Sequence, residues 1–375
     1  TFINPWACKS VLLSIIVASF VINIEAPESF KIYSILLAFI SSGILAMLDI
    51  ENNMLFLAGG PYLMYSDMNG FGPALSGAIW FDIYWCLFAL VCLFIAGMLW
   101  NRGVVSSLKL RIKKAKKEVP KQYFIGMVAT FLVWLMVAGF VFYNTKVLNT
   151  YKTADEIEVL RANYEKKYKK YESVTLPKIV DVKYFIDVFP EERGMNVKAA
   201  LKLTNESHKT IDSIHFNVNE DWETEFKIPH SELVLNDEEY QYLIYKLDKG
   251  LKPHETIEIE VLNKYVTKGF VNKQANTNII RNGTFVNNMS ILPEFGYSSG
   301  TELSDKNTRK KYGLAPKKRM PDLEKNCSGA CMSNYLSGGL SDFIEVETVI
   351  STSSDQVAIA PGSLIKEWKE GGRNY

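Results

Sequence analysis

The chain has 375 residues, of which 48% are hydrophobic and 22% are charged, and its formal net charge is +1. These averages hide a division at Tyr143. Residues 1–143 hold 10 Lys/Arg and 7 Asp/Glu, whereas residues 144–375 hold 32 Lys/Arg and 34 Asp/Glu. The first part is too apolar for a soluble protein, and the second part has a slightly negative charge and no basic face. The composition therefore excludes a purely soluble enzyme and a nucleic-acid-binding protein.

Four apolar stretches in the first part are predicted to cross a membrane. The clearest is 122–143, which at about 1.5 Å per residue is long enough for a hydrocarbon core of about 30 Å. The other three predicted spans are 76–100, 31–49 and 8–24. Residues 52–65 are uncharged too, but Gly-Gly-Pro at 59–61 interrupts them, which predicts an interfacial or re-entrant segment.

The loop between the last two predicted spans sets the orientation. Residues 102–121 hold eight Lys/Arg against one acid, Glu118, and loops of this charge stay in the cytoplasm. Everything from about Asn144 onward is then expected on the extracytoplasmic side. The basic loop also suits contact with anionic lipid, whereas a nucleic-acid role beside two spans is disfavoured. Asp82, the acid within a span, is expected to reach water near the outer boundary rather than relay protons.

A helical stalk is predicted over 144–176. Thr153 to Glu156 has the spacing of a capping box. Apolar and aromatic residues then recur at helical spacing through a Lys/Glu-rich stretch, and they are Ile157, Leu160, Tyr164, Tyr168 and Tyr171. The stalk is expected either to pack on the following domain or to pair with another copy of the chain.

From Pro177 the pattern changes to alternation, which is typical of strands. Val180, Val182, Tyr184, Ile186 and Val188 share one face. Further short strands separated by polar turns predict an antiparallel sandwich or saddle-shaped sheet pair over 177–375. The expected fold class is a multi-pass α-helical membrane region, 1–143, followed by the stalk and an all-β extracytoplasmic domain.

The sequence contains no recognisable catalytic motif. A gluzincin needs His-Glu-x-x-His on a helix so that two imidazoles bind zinc while the Glu activates water. The one His-Glu pair, His254-Glu255, is followed by Glu258 where the second His would stand. A Gly-x-Ser-x-Gly elbow and a phosphate-binding Gly-Lys-Ser/Thr loop are also missing. No catalytic residue, metal ligand or cofactor is therefore assigned within this sequence.

Two of the five cysteines lie in the predicted extracytoplasmic domain, where oxidation is permitted. Cys327 and Cys331 form either a small disulfide loop or a pair of free thiols. A metal pair is disfavoured because no further Cys/His cluster follows them. Cys8, Cys86 and Cys92 lie in or beside predicted spans and are interpreted as apolar filler.

Several strings resemble a bacterial family in which an ABC-type export permease continues into an aminopeptidase-N-like zinc metallopeptidase. In the membrane part they are YSDMNGFG at 65–72, WFDIYW at 80–85 and WNRG at 100–103. In the second part they are NGTF at 282–285, LPEFGY at 292–297, ELSD at 302–305, RKKYGL at 309–314 and QVAIAPG at 356–362. The resemblance identifies 177–375 as the amino-terminal β domain of such a peptidase.

The resemblance implies a zinc-binding catalytic domain after this β domain, so the sequence is expected to be a fragment that is inactive by itself. It also implies a bacterial inner-membrane location, with the lipid bilayer, a peptide substrate and a separate ABC ATPase subunit as partners. Family members hold the substrate's amino terminus with a β-domain loop. The nearest positional match contains Asn282 and Thr284, although it lacks the family's Gln/Glu pattern, and an Asn-Gly turn explains it equally well.

A competing hypothesis is an ABC exporter permease subunit with a non-catalytic extracytoplasmic docking domain. Sequence downstream of Tyr375 would distinguish the two, because a His-Glu-x-x-His followed by a Glu ligand on the next helix favours the peptidase.

Overall fold

The computed structural model describes residues 51–67, 69–99, 112, 113, 115, 117–317 and 344–375. The chain divides into two compact units, the first formed by residues 1–155 and 268–277 and the second by 156–267 and 278–375. Residues 268–277 belong to the first unit although both of their flanking segments belong to the second. The chain therefore passes between the units three times.

The first unit contains two long apolar helices, α1 (Ala74–Leu99) and α2 (Lys121–Phe142), the latter continuing as a π-helical turn, Tyr143–Leu148. Both are long and apolar enough to cross a membrane. They share a small core of Phe81, Tyr84, Trp85, Ala89 and Val141. Only 6% of the apolar window of α2 is buried, which is unlike the core helix of a soluble protein.

The second unit is built mainly on two larger sheets and one long helix, with shorter elements beside them. Helix α3 spans Ala154–Tyr168 and is followed by a 3₁₀ turn, Lys169–Tyr171. The longer strands are β1 (Lys178–Phe189), β2 (Gly194–Thr204), β3 (Ile211–Asn217), β4 (Glu223–Lys227), β5 (Ser231–Asp237), β6 (Tyr242–Leu251) and β7 (Thr256–Val266). Short elements follow: β8 (Ile279–Ile280), β9 (Gly283–Thr284), helix α4 (Asn288–Ile291), β10 (Glu294–Phe295) and helix α5 (Lys306–Lys311). The last strands are β11 (Glu345–Ser353), β12 (Lys369–Glu370) and β13 (Arg373–Asn374).

A seven-stranded sheet has the order β12-β13-β11-β1-β2-β7-β4, and a four-stranded sheet has the order β10-β3-β6-β5. Strands β8 and β9 pair with each other as a separate two-stranded hairpin. Strand β1 confirms the predicted alternation over 182–188, since Val182, Tyr184, Ile186 and Val188 are buried on one face; Val180, predicted on the same face, is only partly buried and lies at an irregularity in the pairing with β2. The opposing faces of the sheets supply one core that includes Leu201, Phe216 and Val261 among its members.

The expected fold class is wrong. The part of the chain that the structure describes contains two helices able to cross a membrane, not four, and the predicted spans 8–24 and 31–49 lie outside that part. The second unit mixes helix with sheet, because α3 buries Tyr164 and Tyr168 as part of it. Its sheets are also not wholly antiparallel, since β1 pairs in parallel with β11.

Candidate functional site

The predicted substrate-binding residues lie on the short hairpin β8–β9. Ile279 pairs with Thr284 and Ile280 with Gly283, so Arg281 and Asn282 form the two-residue turn. Asn282 is exposed at the tip, and Thr284 is partly buried in the second strand. The Thr284 hydroxyl oxygen is buried without a hydrogen-bond partner among the residues that the structure describes. The turn therefore falls one residue earlier than the predicted Asn-Gly turn, and the substrate role stays a prediction.

The hairpin is held to two other segments of the second unit. The Gln356 side-chain amide donates to the Arg281 carbonyl oxygen at 2.5 Å, and the Arg281 guanidinium lies 2.9 Å from the Glu191 carboxylate. Phe285 and Met289, which follow the hairpin, are 79% and 92% exposed. Large apolar side chains on the 357–365 segment are exposed too, and they are Val357, Ile359, Leu364 and Ile365.

The strings at 302–305 and 309–314 converge on helix α3 through a buried ion pair. Both terminal nitrogens of Arg309 donate to the two carboxylate oxygens of Glu165, each at 2.8 Å. The remaining Arg309 donors reach the carbonyl oxygens of Leu303 at 2.7 Å and Ala315 at 2.6 Å. The side chains of Arg309 and Glu165 are 2% and 4% exposed. This two-pronged geometry is the strong form of a carboxylate–guanidinium pair, and it raises the Arg309 pKa.

Glu302 extends this cluster. Its carboxylate accepts from the Lys169 ammonium at 3.0 Å and from the Tyr297 hydroxyl at 2.9 Å, and the Lys317 ammonium lies 3.3 Å away. Burial alone would raise the Glu302 pKa, but these three donors outweigh it and the pKa is lowered. Because Lys169 also reaches Glu165 at 3.0 Å, the acids and bases form one connected network.

Tyrosines complete the contact between α3 and the sheets. The Tyr164 hydroxyl accepts from the Ser298 amide at 2.8 Å and from the Asn217 side chain at 3.0 Å. Tyr168 stacks on Tyr242 with ring centres 4.3 Å apart. The Tyr168 hydroxyl donates to Asp237. Burial opposes ionisation of Asp237, but bonds from Lys167 and Tyr168 outweigh it and lower the Asp237 pKa. Helix α3 is therefore an integral part of the second unit.

A buried histidine lies beside this aromatic group. The His215 ring nitrogens hydrogen-bond with the Tyr242 hydroxyl and the Ser213 hydroxyl, both at 3.0 Å. Burial lowers the His215 pKa, because the charged imidazolium would lose its hydration. Hydroxyl partners on both nitrogens are typical of a structural histidine rather than of a metal ligand.

The residues present do not fit the zinc site that the family resemblance implies for a catalytic domain. Across the described ranges, no three His, Cys, Asp or Glu side chains lie close enough together to hold a metal. His254 and Glu255 lie in the turn before β7, not on a helix. Cys327 and Cys331, the predicted disulfide or thiol pair, lie outside the residues that the structure describes.

The first unit has a polar site of its own, formed by segment 268–277. The Asn53 amide donates to the Asn272 side chain at 3.1 Å, and Asn53 returns a second bond from its side chain to the Asn272 carbonyl oxygen. Lys273 pairs with Glu51 at 2.7 Å. Phe270 packs against Phe81 in the core shared by α1 and α2. The segment is therefore fixed within the first unit by side chains far away in sequence.

Sequence reasoning missed the ion-pair network. Arg309 and Glu165 are 144 positions apart, and each lies among other charged residues that are exposed. Neither position carries a local signal that separates it from its neighbours. The resemblance strings did include Arg309, Glu302 and Tyr297, but as markers of a family rather than as partners of α3.

Comparisons with known proteins give a weak structural similarity. No family model matches the chain, and no curated protein matches it either. A two-domain M1 zinc metallopeptidase variant bound to L-tryptophan is similar with a TM-score of 0.30 and 11% identity, covering 53% of this chain and 38% of that structure.

Two further structures are similar to the same extent. The M1 zinc metallopeptidase from Deinococcus radiodurans has a TM-score of 0.29 at 10% identity, covering 53% of this chain and 37% of its own. A variant bound to L-arginine has a TM-score of 0.29 at 13% identity, with 53% and 38% coverage. This chain thus spans less than two-fifths of the length of these metallopeptidases. Similarity at this level carries no argument about activity, and neither sequence comparison supports the permease part of the resemblance.

Proposed function

We propose that this chain is the membrane-anchored portion and substrate-flanking domain of an aminopeptidase-like zinc metallopeptidase fused to an ABC-type permease. Catalytic zinc belongs, in this proposal, to a domain outside this sequence. The second unit lies on the extracytoplasmic side of a bacterial inner membrane, carried there by α1 and α2. Its role is to hold a rigid scaffold beside a peptide substrate.

The observation that carries the proposal is where the resemblance strings lie in the structure. Phe81, Tyr84 and Trp85, from the 80–85 string, form the core between α1 and α2. Tyr297, Glu302 and Arg309 form the network that fixes α3 to the sheets. The strings that contribute these residues therefore stabilise the two units. This supports an architecture shared with the family that the sequence resembles, rather than a catalytic site within this chain.

The topology is tested by labelling single cysteines with an impermeant thiol reagent in intact cells. Ser107→Cys lies in the basic loop, and Lys209→Cys lies at an exposed position before β3. We expect labelling at position 209 and none at 107 until the cells are permeabilised. The opposite pattern would overturn the orientation.

The peptidase part is tested on the complete protein with a benzophenone amino acid in place of Asn282. A peptide with a free amino terminus should cross-link there, whereas the same peptide with an acetylated terminus should not. Glu238, which is exposed in the turn after β5, is the matched control position. Equal cross-linking at positions 282 and 238 would argue against the substrate-flanking role.

This chain alone should hold no stoichiometric zinc and should not hydrolyse aminoacyl substrates. A catalytic zinc site takes three protein ligands, and the sequence lacks the His-Glu-x-x-His helix that would supply two. Elemental analysis and a fluorogenic aminopeptidase assay of the purified chain check this. Equimolar zinc together with chelator-sensitive hydrolysis would contradict it.

The competing docking function is favoured by one observation, the exposed apolar side chains at 285–289 and 357–365. Clusters of exposed apolar side chains occur at protein interaction sites, and both segments carry several of them. If the second unit docks an ABC exporter partner, substitution of Met289 and Ile365 with Ser should release that partner from purified membranes. Under the peptidase proposal the same change should leave membrane partners bound.

A further inference from the structure

The segment before α1 has an unusual composition. Residues 52–66, which we call the interface segment, contain no charged residue and lie between Glu51 and Asp67. The segment is not helical over this range, and its only described bridge pairs Ser66 with Gly70. A stretch of irregular backbone this apolar must satisfy its carbonyl groups in some other way.

Two side chains of α1 supply hydrogen-bond partners on the inner face of the interface segment. The Trp85 indole nitrogen donates to the carbonyl oxygens of Asn53 at 3.2 Å and Gly59 at 3.1 Å. The Tyr84 hydroxyl donates to the Met54 carbonyl oxygen at 3.1 Å. Gly59 is required in this path, because a Cβ there would lie 2.7 Å from the Phe56 carbonyl oxygen. The segment is thus held to α1 by polar groups that face inward.

In the part of the chain that the structure describes, its outer face carries exposed apolar side chains. Leu55, Tyr62, Met64 and Tyr65 are each between 59% and 64% exposed. Leu75 and Ile79, in the first turns of α1, are exposed as well. Exposing this many large apolar side chains to water is unfavourable.

We infer that the interface segment inserts its outer face into the lipid headgroup and acyl-chain boundary. The carbonyl oxygens of Asn53, Met54 and Gly59 are satisfied on the inside, and apolar side chains lie on the outside, an arrangement that suits a poorly hydrated environment. Tyr62 and Tyr65 have the amphipathic rings that settle at a membrane–water interface. The occupant is lipid because the segment leads into α1 and is hydrogen-bonded to it, and α1 is long and apolar enough to cross a membrane. This inference rests on the proposed membrane insertion of α1 and α2.

The test places a photoreactive diazirine amino acid at one position at a time in the full chain. The chain is reconstituted in vesicles of phosphatidylethanolamine and phosphatidylglycerol, and lipid adducts are measured by mass spectrometry. Met64 probes the interface segment. Met136, on the exposed side of α2, is the positive control, and Val234, in β5 of the second unit, matches Met64 at 59% exposure. Equal exposure means that solvent access alone cannot separate positions 64 and 234.

We expect lipid adducts at positions 64 and 136 and none at position 234. Lipid adducts at 136 but not at 64 would overturn the inference while leaving the membrane helices in place. An adduct to another protein at 64 would also overturn it, since a protein rather than lipid would then cover the surface. Absence of lipid at 136 would overturn the proposed membrane insertion, and the inference with it. Equal lipid adducts at 64 and 234 would show that exposure alone explains labelling.

Discussion

Helices α2 and α3 lie close together in sequence, but their burial is opposite to what their compositions suggest. α2 has one charged residue, Lys121, at its first position, whereas α3 contains seven charged residues in 15. Yet it is α3 that buries side chains within its unit, including Glu165, and α2 that leaves most of its apolar surface uncovered. From composition alone, α2 would be expected to be buried and α3 to be exposed in a protein surrounded by water.

The comparison shows that burial follows from the available partners. α2 has apolar side chains on all faces, and among the described residues only 6% of its apolar window is buried; a helix of this kind is covered either by further protein or by a membrane. α3 is covered because each of its buried polar groups has a specific partner. Glu165 has Arg309, and the Tyr164 hydroxyl has the Ser298 amide. Removing one of these partners should therefore destabilise the packing of α3 in the second unit. Adding one charge to α2 should instead disfavour its insertion into a membrane.

The largest effect is expected from removing Arg309. Arg309→Ala should destabilise the second unit by about 3–5 kcal/mol, because the buried Glu165 carboxylate loses both guanidinium bonds and keeps only the Lys169 ammonium as a cationic partner. Chemical denaturation of the full chain in detergent, followed by tyrosine and tryptophan fluorescence, measures the change.

Two controls separate pairing from packing at this site. Replacing both Arg309 and Glu165 with Met should cost much less than Arg309→Ala, since the buried Glu165 charge is removed together with its partner. Arg281→Ala removes an arginine whose ion pair with Glu191 is exposed, and it should change stability by about 0–1 kcal/mol. If the double replacement were as damaging as Arg309→Ala, the ion pair would not be the source of the loss.

A charge placed on α2 should have the next largest effect. Leu132→Arg, near the middle of α2, should disfavour membrane insertion by about 2.5–3.5 kcal/mol. Asn282 and Asn288 begin exposed glycosylation sequons in the second unit. Translation with microsomes can therefore report translocation of that unit as a glycosylated fraction, which Leu132→Arg should lower. Val159→Arg, on the exposed side of α3, should leave it unchanged, and an equal decrease would remove the distinction between the helices.

The strands were more predictable than the contacts between elements. The alternation of Val182, Tyr184 and Ile186 indicates β1 directly, because a strand with one buried face repeats every two residues. The parallel partner of β1 is β11, more than 150 residues later, and alternation contains no information on partner or direction. The sequence also indicated α3, but it could not show that α3 belongs to the unit with the sheets.

The candidate site was predictable only in part. The sequence indicated a turn at Asn282 and Gly283, whereas the turn residues are Arg281 and Asn282. The register of a two-residue hairpin depends on which backbone groups pair, and side-chain identity near a glycine does not determine it. The buried network escaped because charged residues are exposed by default, and only their long-range partners make Glu165 and Arg309 exceptions.

A smaller loss is expected from Tyr164→Phe. The change keeps the ring but removes the oxygen that accepts from the Ser298 amide and the Asn217 side chain. A buried amide left without a partner costs about 1–3 kcal/mol, measured by denaturation of the full chain. Tyr312→Phe is the matched control, because its hydroxyl reaches only the partly exposed Glu158 at 3.3 Å. Similar losses in both variants would mean that burial of the hydroxyl partners is not decisive.

The smallest expected effect is on the pH dependence of stability, and it comes from His215. Burial lowers the His215 pKa, so in the window just below the ordinary value of about 6.5 the unfolded chain binds a proton that the folded chain does not. Stability should therefore fall as pH decreases through this window. His215→Gln, which can still bond the two hydroxyls, should reduce the change in Tm between pH 7 and 5. His208→Gln, at an exposed position, should leave that change as it is.

The lowered pKa values of Asp237 and Glu302 act at more acidic pH, where stability is lost as their carboxylates protonate. A decrease in Tm confined to that acidic range, and identical in both histidine variants, would assign the pH dependence to the carboxylates alone.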